Sequence, residues 1–88
     1  MFRILVYDVE RRKIYKTHKY LMDKLYWVQN SMFTGFLSDY QVENLFNGLS
    51  NFLNPDRDSV ILFSTEVEFA WEKKIIGKDK SSLNRLIR

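Results

Sequence analysis

Residues 2–8 read FRILVYD, and the assignment of this stretch decides the fold. Ile4, Leu5 and Val6 form a continuous aliphatic run, which suits a strand buried on both faces better than one with a wet side. Asp8 therefore emerges where the core stops. A carboxylate held at the rim by a rigid strand can face a metal ion or a phosphate without the desolvation cost of full burial. On residue type alone, a strand-end Asp is more often a turn former or helix cap than a metal ligand.

Working outward, Val9 to Lys13 reads as a turn. Ile14, His18, Leu21, Met22 and Leu25 then recur at helical spacing, which predicts a helix from about Arg12 to Leu25 with one apolar stripe. Lys13, Lys16 and Lys19 are expected to point away from that stripe. Arg11, Arg12 and Lys16 are the cations placed to ring Asp8, whereas His18 sits on the apolar line and reads as a partly buried, hydrogen-bonded core histidine. The segment YWVQNSMFTGFL at 26–37 is aromatic and β-branched, with polar Gln29, Asn30 and Ser31 at its middle. That pattern predicts two short strands joined by a tight turn or bulge near Asn30. Its aromatics are expected in the core or in dimer packing, with Phe33 the exception offered as a base-stacking platform.

Ser38-Asp39-Tyr40-Gln41 fits a capping box, with Ser at the N-cap and Gln three residues later. Val42, Leu45, Phe46, Leu49, Phe52 and Leu53 follow at helical spacing, and the helix is expected to stop before Pro55, the only proline. Gly48 within it implies either close packing or simple tolerance. Ser59 to Thr65, SVILFST, is the next strong strand. Its run Val60 to Phe63 is apolar without alternation, so a bare edge there would invite aggregation and something should cover it. Phe69, Trp71, Ile75 and Ile76 mark a short additional strand ending at Gly77. Residues 1–77 thus make one domain, and 78–88, KDKSSLNRLIR, a basic flexible tail.

Composition narrows the chemistry. With 88 residues and 45% hydrophobic content the chain is one small folded domain that would gain from packing against a second copy. No Cys and a single His exclude thiolate and His-rich zinc sites, so any metal must be a hard cation held through oxygen. Neither a secretory signal nor a membrane-length apolar run is present, which makes the cytoplasm the expected compartment. The net charge of +3 is segregated: Lys73, Lys74, Lys78, Lys80, Arg85 and Arg88 stand against Asp79 alone near the C-terminal end. Clusters of this kind favour polyanionic partners.

The order strand, helix, strand, strand, helix, strand is that of an α+β, ferredoxin-like βαββαβ sandwich, here with an extra C-terminal strand. Two helices cover one face of its antiparallel sheet, and the other face must bind nucleic acid or pack against another sheet in a symmetric dimer.

Taken together, ILVYDVE at 4–10, WVQNSMFTG at 27–35, DSVILF at 58–63 and KKIIGK at 73–78 resemble the CRISPR-associated Cas-two family, in this order and at these intervals, over nearly the whole chain. The resemblance implies a homodimer whose sheets face each other, with a C-terminal strand crossing to the partner and covering the apolar edge. It implies a metal-dependent endonuclease acting on RNA or DNA, with Asp8 of each chain as the catalytic and metal-binding carboxylate and Mg²⁺ or Mn²⁺ as the cofactor. It further implies a scaffold role beside the Cas-one integrase in spacer capture. Tyr7 and Phe33, at the family's motif positions, would shape the cleft or stack on a base, and Arg11, Arg12 and Lys16 would contact nucleic acid. Many members carry a basic residue just before the strand-borne Gln, where this chain has Trp27 and Val28. Two other readings are a toxin-type ribonuclease of the VapD kind and a non-catalytic nucleic-acid-binding module of the same strand order.

Overall fold

The computed structural model describes residues 1–66 and 76. Strand β1 spans Phe2–Asp8, a single 3₁₀ turn Arg11–Lys13 leads into α1 (Ile14–Met22), and a hairpin of β2 (Tyr26–Gln29) and β3 (Met32–Phe36) follows. Helix α2 (Asp39–Ser50) and β4 (Ser59–Thr65) complete the described elements. Among the described residues four strands form one antiparallel sheet in the order β2-β3-β1-β4, with β1 inside it and β2 and β4 at its two sides. This is the α+β arrangement expected from the sequence. The expected additional strand, most of the KKIIGK motif and the expected basic tail fall outside the described residues.

Strand alternation sorts the residues of β1 between two environments. Leu5 and Tyr7 point under the helices and join Leu21, Leu25, Phe33, Leu37, Leu45 and Leu49 in the core. Phe2, Ile4, Val6 and Asp8 point the other way. Register carries the same division across the sheet: Ile4 is paired with Thr34 and Phe63, and Val6 with Met32 and Ile61. Side chains directly opposite in an antiparallel pair share a face. This open face leaves Tyr26, Met32, Phe36, Ile61 and Phe63 exposed. The expectation that β1 is buried on both faces therefore fails within one chain, since Ile4 and Val6 are only half-buried. Strand β4 likewise alternates, with Val60 and Leu62 packed on the core and Ile61 and Phe63 outward.

The sequence places α2 well. Ser38 Oγ accepts the Gln41 backbone N–H at 3.1 Å, and Gln41 Oε1 accepts the Ser38 N–H at 2.8 Å, closing the capping box. Gly48 is a packing requirement, because a Cβ there would overlap the Tyr20 side chain, whose hydroxyl donates to the Leu45 carbonyl at 3.3 Å. Between β2 and β3 the chain reverses through Asn30 at φ 47°, a conformation that Asn tolerates better than most residues, and a register shift lies between Trp27 and Gln29.

Helix α1 differs from its sequence reading. It ends at Met22, and its buried line is Lys13, Thr17 and Leu21, whereas Ile14 is 46% exposed. Lys13 is thus turned inward, not outward. His18 does pack at the core, edge-on to Phe33 at 5.1 Å and to Trp27 at 5.2 Å, and burial pushes its imidazole below its ordinary pKa. Arg3, buried beside this core, donates to the Leu37 carbonyl (3.1 Å), Ser64 Oγ (2.8 Å) and Asp39 Oδ1 (2.7 Å).

Candidate active site

Asp8 closes β1 on the open face of the sheet, exposed, with Ser59 as its cross-strand neighbour on β4. On the other side, the N–H of Tyr7 donates to the Ser31 carbonyl at 3.2 Å, so the hairpin turn abuts the same end of the sheet. Asp8 thus stands at a rim made by the end of β1, the start of β4 and the Asn30–Ser31 turn. Apolar side chains occupy the rows behind it. Among the described residues Asp8 makes no ion pair and no three His, Cys, Asp or Glu side chains cluster as a metal site. Among the described residues Asp8 is thus the carboxylate that stands exposed at this rim, which fits Mg²⁺ or Mn²⁺ only if further oxygens come from elsewhere, because such ions keep several waters or substrate phosphates among their ligands.

The other residues expected at the site divide. Arg11 and Arg12 lie in the 3₁₀ turn that follows Asp8 and are exposed, with the Arg12 guanidinium 3.5 Å from Glu10 Oε1. Lys16 is directed over the Phe52 ring, 4.8 Å from its centroid, in the helical layer and away from the face that carries Asp8. Tyr7 and Phe33 require a correction. Tyr7 is 5% exposed and Phe33 fully buried, and their rings lie 6.3 Å apart beneath the helices. Neither has a free face for a base. The reason is strand parity, since Tyr7 adjoins Asp8 and must point to the opposite side of the sheet.

The sequence reading missed a charged cluster next to Asp8. Lys13 Nζ lies 2.6 Å from Asp58 Oδ2 and 3.0 Å from Glu10 Oε1, and Arg57 extends the group at 3.6 Å from Glu10 Oε2. The Asn54 backbone N–H, the Lys13 ammonium and the Glu10 N–H together hold the Asp58 carboxyl down at a pKa of about 2. Glu10 is also lowered, chiefly by its hydrogen bond from Lys13, and Lys13 is raised by Asp58 and then Glu10. A signal for it was available: Lys13, Thr17 and Leu21 fall at i, i+4 and i+8, and a cation on an inward helical line calls for a carboxylate opposite.

Comparison with known proteins agrees with this architecture. Residues 1–71 match the family described as CRISPR associated protein Cas2. The chain is 32% identical over 87 residues to a CRISPR-associated endoribonuclease Cas2 of Methanothermobacter thermautotrophicus, covering 99% of this chain and 96% of the relative. It is 32% identical to a protein of the same name from Methanocaldococcus jannaschii, covering 99% of this chain and 76% of that one. Among solved structures, a crystal structure of Cas2 superposes with TM-score 0.81 at 36% identity, covering 92% of this chain and 91% of the other. Streptococcus pyogenes Cas2 at pH 6.5, at 19% identity and TM-score 0.76 over 88% of this chain and all of its own, shares the fold. No described helix is long and apolar enough to cross a membrane. With the family matched across most of its length and the same fold in its structural neighbours, this chain belongs to the CRISPR-associated Cas2 family.

Proposed function

We propose that this protein is a homodimeric endonuclease that cleaves phosphodiester bonds in RNA or DNA with the help of Mg²⁺ or Mn²⁺, and that Asp8 from each of two copies holds the cation. The observation that carries this reading is the placement of an exposed carboxylate at the rim of a largely apolar sheet face. Contiguous exposed apolar surface calls for a partner. A second copy laid on that face about a two-fold axis would bring a second rim, and a second Asp8, into play. The names of the relatives support the nuclease activity, and the net charge of +3 suits a polyanionic substrate.

Within that reading, Asp8 carboxylates anchor the cation while the exposed Arg11 and Arg12 meet the phosphate backbone. When bound, the cation supplies charge neutralisation at the phosphoryl oxygens and relieves repulsion between the two carboxylates. We further propose that the dimer serves in spacer acquisition as a scaffold for the Cas-one integrase, in the cytoplasm. The test compares wild type with Asp8→Ala on single-stranded RNA and duplex DNA, with Mg²⁺, with Mn²⁺ and with chelator. Loss of cleavage in Asp8→Ala, with its dimer retained, is the expected result, and full activity in that variant refutes the metal assignment. A chain ending at Gly77, assayed for binding to the integrase, separates the scaffold role from catalysis.

A further inference from the structure

Asp58 has no part in the function described so far, yet its side chain is 1% exposed and its carboxylate joins three segments. Oδ1 accepts the Glu10 backbone N–H at 2.8 Å. Oδ2 accepts Lys13 Nζ at 2.6 Å and the Asn54 backbone N–H at 2.7 Å. These donors belong to the chain leaving β1, to the 3₁₀ turn that follows, and to the loop after α2. Their relation to Asp8 is close on both sides. Glu10 lies two residues beyond Asp8 on its own strand exit, and Ser59, which Asp58 precedes, is the residue paired with Asp8 across the sheet.

Energetics argue that this arrangement is not there for stability alone. Taking two charges out of water offsets most of their mutual attraction, so the Lys13–Asp58 ion pair by itself adds little net stability. Apolar contact has no direction. Hydrogen bonds from three fixed donors to one carboxylate define where the strand exit must lie, and such outer groups are what orient a metal-holding side chain. The 3₁₀ turn reinforces the same constraint, with the Lys13 N–H donating to the Glu10 carbonyl at 2.8 Å and Thr17 Oγ1 donating to the Lys13 carbonyl at 2.9 Å. Because its donors keep Asp58 ionised well into acid, it acts as a fixed anion and not as a proton donor.

We infer that Asp58, clasped by Lys13 and the Glu10 and Asn54 backbone, is a positioning residue that pins the end of β1 so that Asp8 presents its carboxylate to a divalent cation in one orientation. The inference rests on the assignment of Asp8 as the cation-holding group.

The experiment measures Mn²⁺ affinity of the full chain by water-proton relaxation, together with amide exchange at Glu10, in wild type, Asp8→Ala, Asp58→Ala, Asp58→Asn and Lys13→Met. Asp8→Ala is expected to abolish the Mn²⁺ site. Asp58→Ala should weaken Mn²⁺ binding by about tenfold or more and speed exchange at Glu10. Asp58→Asn, which keeps an acceptor for the Glu10 N–H, should recover part of that loss. Wild-type affinity in Asp58→Ala, alongside loss in Asp8→Ala, overturns the positioning role and leaves the Asp8 assignment standing. Wild-type affinity in Asp8→Ala removes that assignment and the positioning role with it. Should Asp58→Ala fail to fold, Asp58→Asn and Lys13→Met decide: weakened binding in both supports the role, and unchanged affinity in both overturns it.

Discussion

Replacing Phe63 by Ser tests the sheet-to-sheet dimer directly. Phe63 stands in the middle row of the open face, opposite Ile4, and is 48% exposed in the single chain. A Phe side chain carries roughly 200 Å² of surface, so about 100 Å² of this one is wet. At about 25 cal/mol per Å², burying that area against a second copy is worth ~2.5 kcal/mol. Two-fold symmetry doubles the effect to ~5 kcal/mol per dimer, which raises the dissociation constant by roughly 10³- to 10⁴-fold. If the interface covers only half of each ring, the shift is still about 10²-fold. The folded single chain should tolerate the change, since the ring points away from the core that Leu5, Phe33 and Leu45 fill. Sedimentation velocity across a concentration series reads the dissociation constant, and circular dichroism on the same samples confirms folding. A dimer of unchanged affinity in Phe63→Ser, or a wild type that stays monomeric at every concentration, refutes the reasoning.

Three further outcomes follow from the fold. Ser38→Ala removes the capping-box acceptor for the Gln41 N–H and should cost about 1 kcal/mol in urea unfolding. Gly48→Ala should destabilise the protein despite the better helix propensity of Ala, because its methyl group would meet Tyr20; in a Tyr20→Leu background the same substitution should recover toward a gain of up to ~1 kcal/mol. Stability should fall in acid in two windows. His18, held below its unfolded value of 6.5, withdraws its contribution as pH drops through and below 6.5, and His18→Leu should flatten that part of the profile. Asp58, lowered from 3.8 to about 2, gives a contribution that is complete above pH 3.8 and lost as pH falls through about 2, and Asp58→Asn should abolish it in a thermal-melt pH series.

Much of this architecture is written locally. FRILVYD, the Ser38 capping box and the polar turn at Asn30 each specify an element with short-range chemistry, and the structure follows all three. Helix α1 shows where local pattern misleads. Two helical lines one residue apart compete there, one through Ile14 and His18, the other through Lys13 and Thr17. Hydrophobicity selects the first, but the carboxylate that lets Lys13 turn inward lies 45 residues later. Ile4 and Val6 misled differently: their apolar character belongs to the face of the sheet opposite α1 and α2. The rim position of Asp8 was legible because a carboxylate ending an apolar run is conspicuous, whereas offering Tyr7 to the cleft or to a base set aside the two-residue period of the strand. Counting alternation from Leu5 would have sent Tyr7 inward and, through the pairing of Leu5 with Phe33, that ring as well.

The division of labour along β1 also constrains how the sequence can change. Leu5 and Tyr7 anchor the hydrophobic interior, while Asp8, one peptide unit further, faces outward. Adding or deleting one residue within 2–8 would invert every side chain beyond that point, sending the carboxylate into the packed interior and an aromatic ring into water. Substitution can tune either side of this ribbon independently; a change in its length cannot, so the spacing between core and carboxylate is inherited as a single unit.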